Sequence, residues 1–361
     1  MKIPRTRTAS TAWGALALGL TALVVAGCAP ASGAAATGDA TAEVTELRLG
    51  YFANVTHAPA LIGVAEGLFD DALGDIDLKA EVFNAGPAAV EALSAGAIDA
   101  AYLGPNPAIN TFIQSGGLSA RVVAGAASGG AALVVRDGID SPDDLAGALV
   151  ASPQLGNTQD VALRSWLADQ GFETSTTGSG DVSVTPTDNA QILSLFGKGR
   201  LDGAWVPEPW ASRLVLEAGA HVLVDEAELW PEGAFPTTVL LVRADFAAQH
   251  PEAVGKLIDG HIAAVAWLGE NPGRAHGAIN DVLEGATGRR LTDEVLDRAL
   301  QNVTFSVDPR AGTFTTLLGD GQRAGVLKDG SIEGLFDLRA LNARLTEAGD
   351  ETVSAAGLGE Q

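Results

Sequence analysis

From Leu47 onward, short apolar runs take turns with amphipathic stretches along the chain. LRLGYF is followed by APALIGVAEGLF, IDLKAEVF by PAAVEALSAG, and IDAAYLG by NPAINTFIQS. RVVAGAA and ALVVR come next, then LVASP before LGNTQDVALRSWLADQG, VSVTPT before NAQILSLFGKG, and LDGAWVP before PWASRLVLEAG. The short runs have strand length, and the stretches between them carry apolar residues at helical spacing. Alternation of this kind predicts an α/β protein with mostly parallel sheets. TVLLVRADF reads as one further strand. Beyond it the chain turns helical, in HPEAVGKLIDGHIAAVAWLGENP and LTDEVLDRALQNV.

The pattern repeats once. FNAGPAAVEALSAGAIDAAYLGPNP (83–107) overlays PTDNAQILSLFGKGRLDGAWVPEP (186–209), matching Gly96 with Gly199, Asp99 with Asp202, Ala101 with Ala204 and Tyr102 with Trp205. Each copy reads as helix, Gly stop, Asp-containing turn, strand, aromatic residue and Pro-x-Pro exit. Any two βαβ units share some of this by construction, but the likeness suggests two lobes of one architecture. Ligands of open parallel sheets sit beyond the carboxyl ends of the strands, so both exits fall at functional edges, with a cleft between lobes that face each other.

The amino end sets the compartment. Lys2, Arg5 and Arg7 precede an apolar run, Ala12 to Ala26, too short for a comfortable membrane span. Residues 1–27 therefore read as a secretory signal peptide. Val25 to Cys28, VAGC, resembles the lipobox of bacterial lipoproteins, whose cysteine is lipidated and becomes the first residue after cleavage. The alternative is a plain secretory signal with an incidental cysteine. Cys28 is the only cysteine, so no disulfide forms within the chain. Residues 28–46, small and polar, read as a flexible tether.

The totals narrow the choice further. With 361 residues, 47% hydrophobic and 19% charged, the chain has room for two domains. Its net charge of −23 argues against nucleic acid and against an electrostatic grip on anionic lipid. An anionic ligand would have to be held by short-range donors, against a repelling long-range field.

Catalytic motifs are missing from the sequence: there is no GxSxG, HExxH, GxxxxGK[ST] or GxGxxG. The five histidines show no metal-ligand spacing, and no cofactor is expected. His57 could line a site at the first strand's exit, while His221, His250 and His261 read as helix caps or helix-surface residues. The strongest candidate is Asn157-Thr158-Gln159 at the mouth of a helix. One of these side chains could simply cap the helix. The remaining unpaired N–H groups and the dipole would make an anion site, with Asp160 pointing away. Ser128, Gly129 and Gly130 allow either a close backbone approach to a ligand or a turn. Trp205 and Trp210 could form an apolar wall or belong to the core. Glu208 could recognise a cation, bridge the lobes or cap a helix. Thr237 and Thr238 could offer hydroxyls or simply suit a strand.

Six long stretches, among them AYLGPNPAIN, SPQLGNTQDVALRSWL and LDGAWVPEPWASRL, make residues 47 to 341 similar to the substrate-binding proteins of ABC importers for aliphatic sulfonates, within the sulfonate, taurine and nitrate family. The resemblance implies a type-II periplasmic-binding-protein fold: two α/β lobes, 47–135 with 240–361 and 136–239, joined by a hinge and closing over a ligand. It implies a monomer that binds a small anion, a sulfonate, outside the cytoplasm. ABC permease and ATPase subunits would be its partners, and a lipid on Cys28 would hold it to the membrane. It places ligand contacts at Phe52, Asn54 and His57, at Gly104 and Asn106, at Ser128 to Gly130, at Asn157 to Gln159, at Trp205, Glu208 and Trp210, and at Thr237 and Thr238.

Overall fold

The computed structural model describes residues 44–361; the expected signal peptide, Cys28 and most of the expected tether lie outside them. In chain order the elements are β1 (Glu46–Phe52), α1 (Ala58–Ala65), α2 (Leu68–Leu73), β2 (Asp77–Phe83), α3 (Gly86–Ser94), β3 (Ala100–Leu103), α4 (Pro105–Gln114), β4 (Ala120–Gly129) and β5 (Ala131–Val135). There follow β6 (Leu149–Ser152), α5 (Thr158–Asp169), β7 (Ser183–Pro186), α6 (Asn189–Gly197), β8 (Gly203–Pro207), α7 (Trp210–Ala218), β9 (His221–Asp225) and β10 (Pro236–Arg243). The last part holds α8 (Ala244–Gln249), α9 (Pro251–Glu270), α10 (Pro272–Thr287), α11 (Asp293–Gln301), β11 (Val303–Phe305), α12 (Phe314–Arg323), β12 (Phe336–Asp337), α13 (Arg339–Ala348) and β13 (Gly359–Glu360). Strand β1 already includes Glu46, the last residue assigned to the tether.

These strands form two sheets. The larger has the order β13-β12-β4-β10-β3-β1-β2, with β11 also on β4; the smaller has the order β7-β6-β8-β5-β9. Side chains alternate across each sheet, as the two-residue period requires. Leu47, Leu49 and Tyr51 enter one core of the first lobe, while Ala101 and Leu103 enter the other. In the second lobe Trp205 faces one core, and its neighbours Ala204 and Val206 face the opposite one.

The repeat extends to the topology. The series β2-β1-β3-β10-β4 in one sheet matches β7-β6-β8-β5-β9 in the other, strand for strand. In each, one strand runs against its neighbours: β10 is antiparallel to β3 and β4, and β5 to β8 and β9. Four of the five strands in each series thus run the same way, so the sheets are mostly parallel, with one reversed strand in each. The matched aspartates explain the overlay. Asp99 accepts from the main-chain N–H of Arg48 on β1 (3.0 Å) and pairs with Arg243 at the end of β10 (3.4 Å). Asp202 accepts from Leu149 N on β6 (2.7 Å) and pairs with Arg136, just beyond β5 (2.6 Å).

The two antiparallel strands are also the crossings, which moves the expected lobe boundaries. The chain leaves the large sheet at Gly129 and enters the small one at Ala131, so β5, expected in the first lobe, pairs in the second. It returns through residues 226–235, and β10 begins at Pro236 in the large sheet, ahead of the expected boundary at 239. Both ends of these crossings are apolar strands indistinguishable by pattern from their neighbours. His261 is not on a helix surface: it is fully buried, with Tyr102 Oη on its Nδ1 and Gly125 O on its Nε2, each at 2.7 Å.

Candidate functional site

Between the sheets, at the carboxyl ends of the strands, lies a polar cavity of about 20 Å³ lined by Asn54, Thr56, His57, Asn84, Asn157, Thr158 and Gln159, among others. It is bounded by the starts of five helices. Asn54 to His57 lead into α1, Asn84 precedes α3, Gly104 starts α4, Asn157 starts α5, and Asn189 opens α6. None of the five starts has a side-chain cap. By contrast Thr292, at the start of α11, does cap its helix. A helix start leaves about four N–H groups unpaired, and the dipoles add partial positive charge at the same place. Asn157, one of the side chains that could have capped α5, is therefore left facing the cavity.

Among the described residues, no Asp, Glu, Lys or Arg lines this cavity. His57 does, but burial lowers its pKa to about 3, so it is neutral. Its Nδ1 accepts from Phe52 N (3.3 Å), which puts the proton on Nε2 as a donor. Among the described residues Thr158 Oγ1 and Asn189 Oδ1 are buried without partners; a half-turn of the Asn189 amide would present its NH₂ instead. Asn54 Oδ1 accepts from Trp210 Nε1 across the lobes (2.8 Å), leaving its amide donors uncommitted among the described residues. Asp160 points away, accepting from Ser152 Oγ (2.7 Å), Gly156 N (2.9 Å) and Arg164 Nε (3.0 Å).

Phe52, Asn54, His57, Gly104, Asn157, Thr158, Gln159 and Thr237 come together here with Pro207 of the second Pro-x-Pro exit, joined by Thr56, Asn84 and Asn189, which sequence reasoning missed. The other expected contacts lie elsewhere. Asn106 donates to Leu317 O (3.1 Å), and Ser128 Oγ to Phe235 O (2.7 Å). Gly129 and Gly130 have φ of 79° and 73° and form the first crossing; a Cβ on Gly130 would meet Val303 Cγ2 at 2.4 Å. Trp205 is core: fully buried, it donates to Glu226 Oε2 (2.7 Å) and packs on Trp166. Trp210 contributes its bond to Asn54 but does not line the cavity. Glu208 bridges the lobes beside the crossing. It accepts from Ser212 N (3.0 Å) on α7, and from Arg298 Nη1 (3.2 Å) and Asn302 Nδ2 (2.8 Å) of the first lobe. Thr238 Oγ1 is buried within β10 without a partner among the described residues.

The fold, two matched α/β lobes with crossing strands and a polar cavity between them, is the type-II periplasmic-binding-protein fold. The chain belongs to the NMT1-like family, whose model matches residues 40–280. It is 30% identical over 198 residues to the taurine-binding periplasmic protein of Escherichia coli K12, covering 54% of this chain and 58% of that one. The chain thus spans less than two thirds of that relative's length. A putative aliphatic sulfonates-binding protein of Bacillus subtilis is 25% identical over 287 residues, 77% of this chain and 79% of that one. Among solved structures, the alkanesulfonate-binding protein SsuA from Xanthomonas axonopodis pv. citri bound to MOPS superposes with a TM-score of 0.65 at 20% identity, over 80% of this chain and 96% of its own.

Proposed function

We propose that this protein is an extracytoplasmic solute-binding protein that captures an aliphatic sulfonate between its lobes and passes it to an ABC importer, making and breaking no bond. The observation that carries this reading is the meeting of five uncapped helix starts on a cavity with no charged side chain in its wall. A sulfonate stays ionised and asks only for donors. Main-chain N–H groups, Thr158 Oγ1, His57 Nε2 and the asparagine amides supply them without a buried cation. Closure of the lobes excludes water and strengthens those bonds. The names of the taurine- and sulfonate-binding relatives support the ligand class and the extracytoplasmic location. Anchoring through a lipidated Cys28, action as a monomer and docking to a permease with its ATPase belong to the same proposal.

The cavity size favours a second reading. About 20 Å³ is room for roughly one water-sized sphere, which suits a compact anion such as nitrate or bicarbonate better than a sulfonate with a tail confined to the same space. Glu208 gives no support to recognition of an ammonium group at its own position, since Arg298 and Asn302 already occupy it.

Calorimetric titration with propanesulfonate and with nitrate separates the readings. The sulfonate reading expects propanesulfonate to bind more tightly, and a Thr158→Ala, Gln159→Ala double variant to lose about tenfold or more in affinity, as loss of one or two bonds to a charged group would give. Nitrate binding without sulfonate binding selects the second reading, and unchanged affinity in the double variant removes the α5 start from the site.

A further inference from the structure

Trp210 opens α7 in the second lobe, half-buried and outside the wall of the anion cavity. Its Nε1 donates to Asn54 Oδ1 of the first lobe at 2.8 Å. Asn54 is 7% exposed and belongs to that wall. An indole N–H can only donate, whereas a side-chain amide carries an acceptor on one side and two donors on the other. The bond therefore settles which way the amide faces, with Oδ1 turned to Trp210 and Nδ2 left for the cavity. The main chain of Asn54 is held as well, its N–H donating to Phe52 O (2.9 Å) and its carbonyl accepting from His57 N (3.0 Å). Only the side chain is free to turn.

The indole is fixed in its own place. The Arg213 guanidinium lies over its ring at 4.9 Å from the centroid, and is paired with Glu217 through two bonds of 3.1 Å. Just ahead of Trp210, Glu208 ties the start of α7 to Arg298 and Asn302 of the first lobe.

We propose that Trp210 is a positioning residue for the anion: it touches no ligand, and acts by holding the Asn54 amide with its donors toward the cavity. This rests on the anion-site reading above and adds to it a residue outside the wall. Released from the indole, the amide can turn over, and its oxygen then faces the anion and repels it. The bond also spans the lobes, so it must break before they part. Its loss should speed release of the ligand more than it slows capture.

The test is calorimetry and stopped-flow kinetics on the whole protein, with propanesulfonate and nitrate as probes. Trp210→Phe keeps a ring under Arg213 and removes the N–H. It is expected to weaken binding about fivefold or more, the scale of one hydrogen bond, with the change in the dissociation rate. In an Asn54→Ala background the same substitution should change affinity by less than about twofold, because no amide is left to orient. Unchanged affinity in Trp210→Phe, or equal losses in the two backgrounds, overturns the proposal. Asn54→Asp keeps the acceptor for Trp210 and puts a second oxygen where the donor was. It is expected to weaken binding at least about a hundredfold, since a donor to a charged group is replaced by a like charge. Undiminished binding there overturns the amide orientation while leaving the anion site standing. Binding of neither probe to the unaltered protein overturns both.

Discussion

A methyl group on Gly104 would sit 2.3 Å from Thr158 Oγ1, although the Gly104 backbone (φ −71°, ψ 158°) is open to any residue. The glycine is there for close approach between lobes, not for a turn. Gly104→Ala is accordingly expected to fold normally and to weaken anion binding about tenfold or more, because Thr158 is displaced from the closed site by roughly the distance that matters for a hydrogen bond. Thermal unfolding without ligand and calorimetry with propanesulfonate check the two halves of that expectation. At this scale Asn157, Thr158 and Gln159 were legible, since three polar residues at a helix mouth stand out against an apolar background. Asn84 and Asn189 were not, because a single asparagine before a helix reads as an ordinary cap. Each lies next to the N-cap of one of the matched helices, Asn84 before Ala85 and Asn189 after Asp188, and that nearness is the signal that could have found them. For Trp205 and Glu208 the sequence left core against wall, and bridge or cap against cation site, undecided, because their partners Glu226 and Arg298 lie 21 and 90 residues away.

Among the elements, the strand–helix alternation and the internal repeat were readable, while the direction of β5 and β10 was not. Both are continuous apolar runs buried on two faces, and such runs look alike whether they pair parallel or antiparallel. The matched aspartates give the repeat an energetic test. Asp99 has a side chain 3% exposed and holds two arginines, whereas Asp202 is 26% exposed and holds one. Asp99→Ala is expected to cost about 3 kcal/mol, the scale of a broken buried ion pair. Asp202→Ala should cost about 1 kcal/mol, nearer the surface value. Denaturant unfolding of the two variants measures the difference, and equal costs would deny the role assigned to burial. The short strands β11, β12 and β13 escaped the pattern because two or three residues carry no period to detect.

For the whole molecule, buried titratable groups tie stability to pH from both sides. His57 and His261 are lowered to about 3 and 4 by burial, so stability falls as pH drops below about 6.5, where the unfolded histidines take up protons. Glu226, raised to about 8, works in the opposite sense: its contribution is complete below its unfolded value and is lost as pH rises through 8. Glu208 and Asp320, also raised by burial, act in the same sense as Glu226, and above about 6.5 the histidines are neutral in both states, so stability is expected to decline from about pH 6.5 toward 8. Melting temperature across that range checks it, and Glu226→Gln should reduce the alkaline decline. The central claim is more direct: neutral donors at converging helix starts hold an anion that the protein's net charge of −23 repels. A crystal structure with saturating propanesulfonate measures it. The account predicts sulfonate oxygens at about 2.7 to 3.2 Å from main-chain nitrogens of α5 and from Thr158 Oγ1. A sulfonate seated elsewhere, or a cleft left empty at saturation, would contradict it.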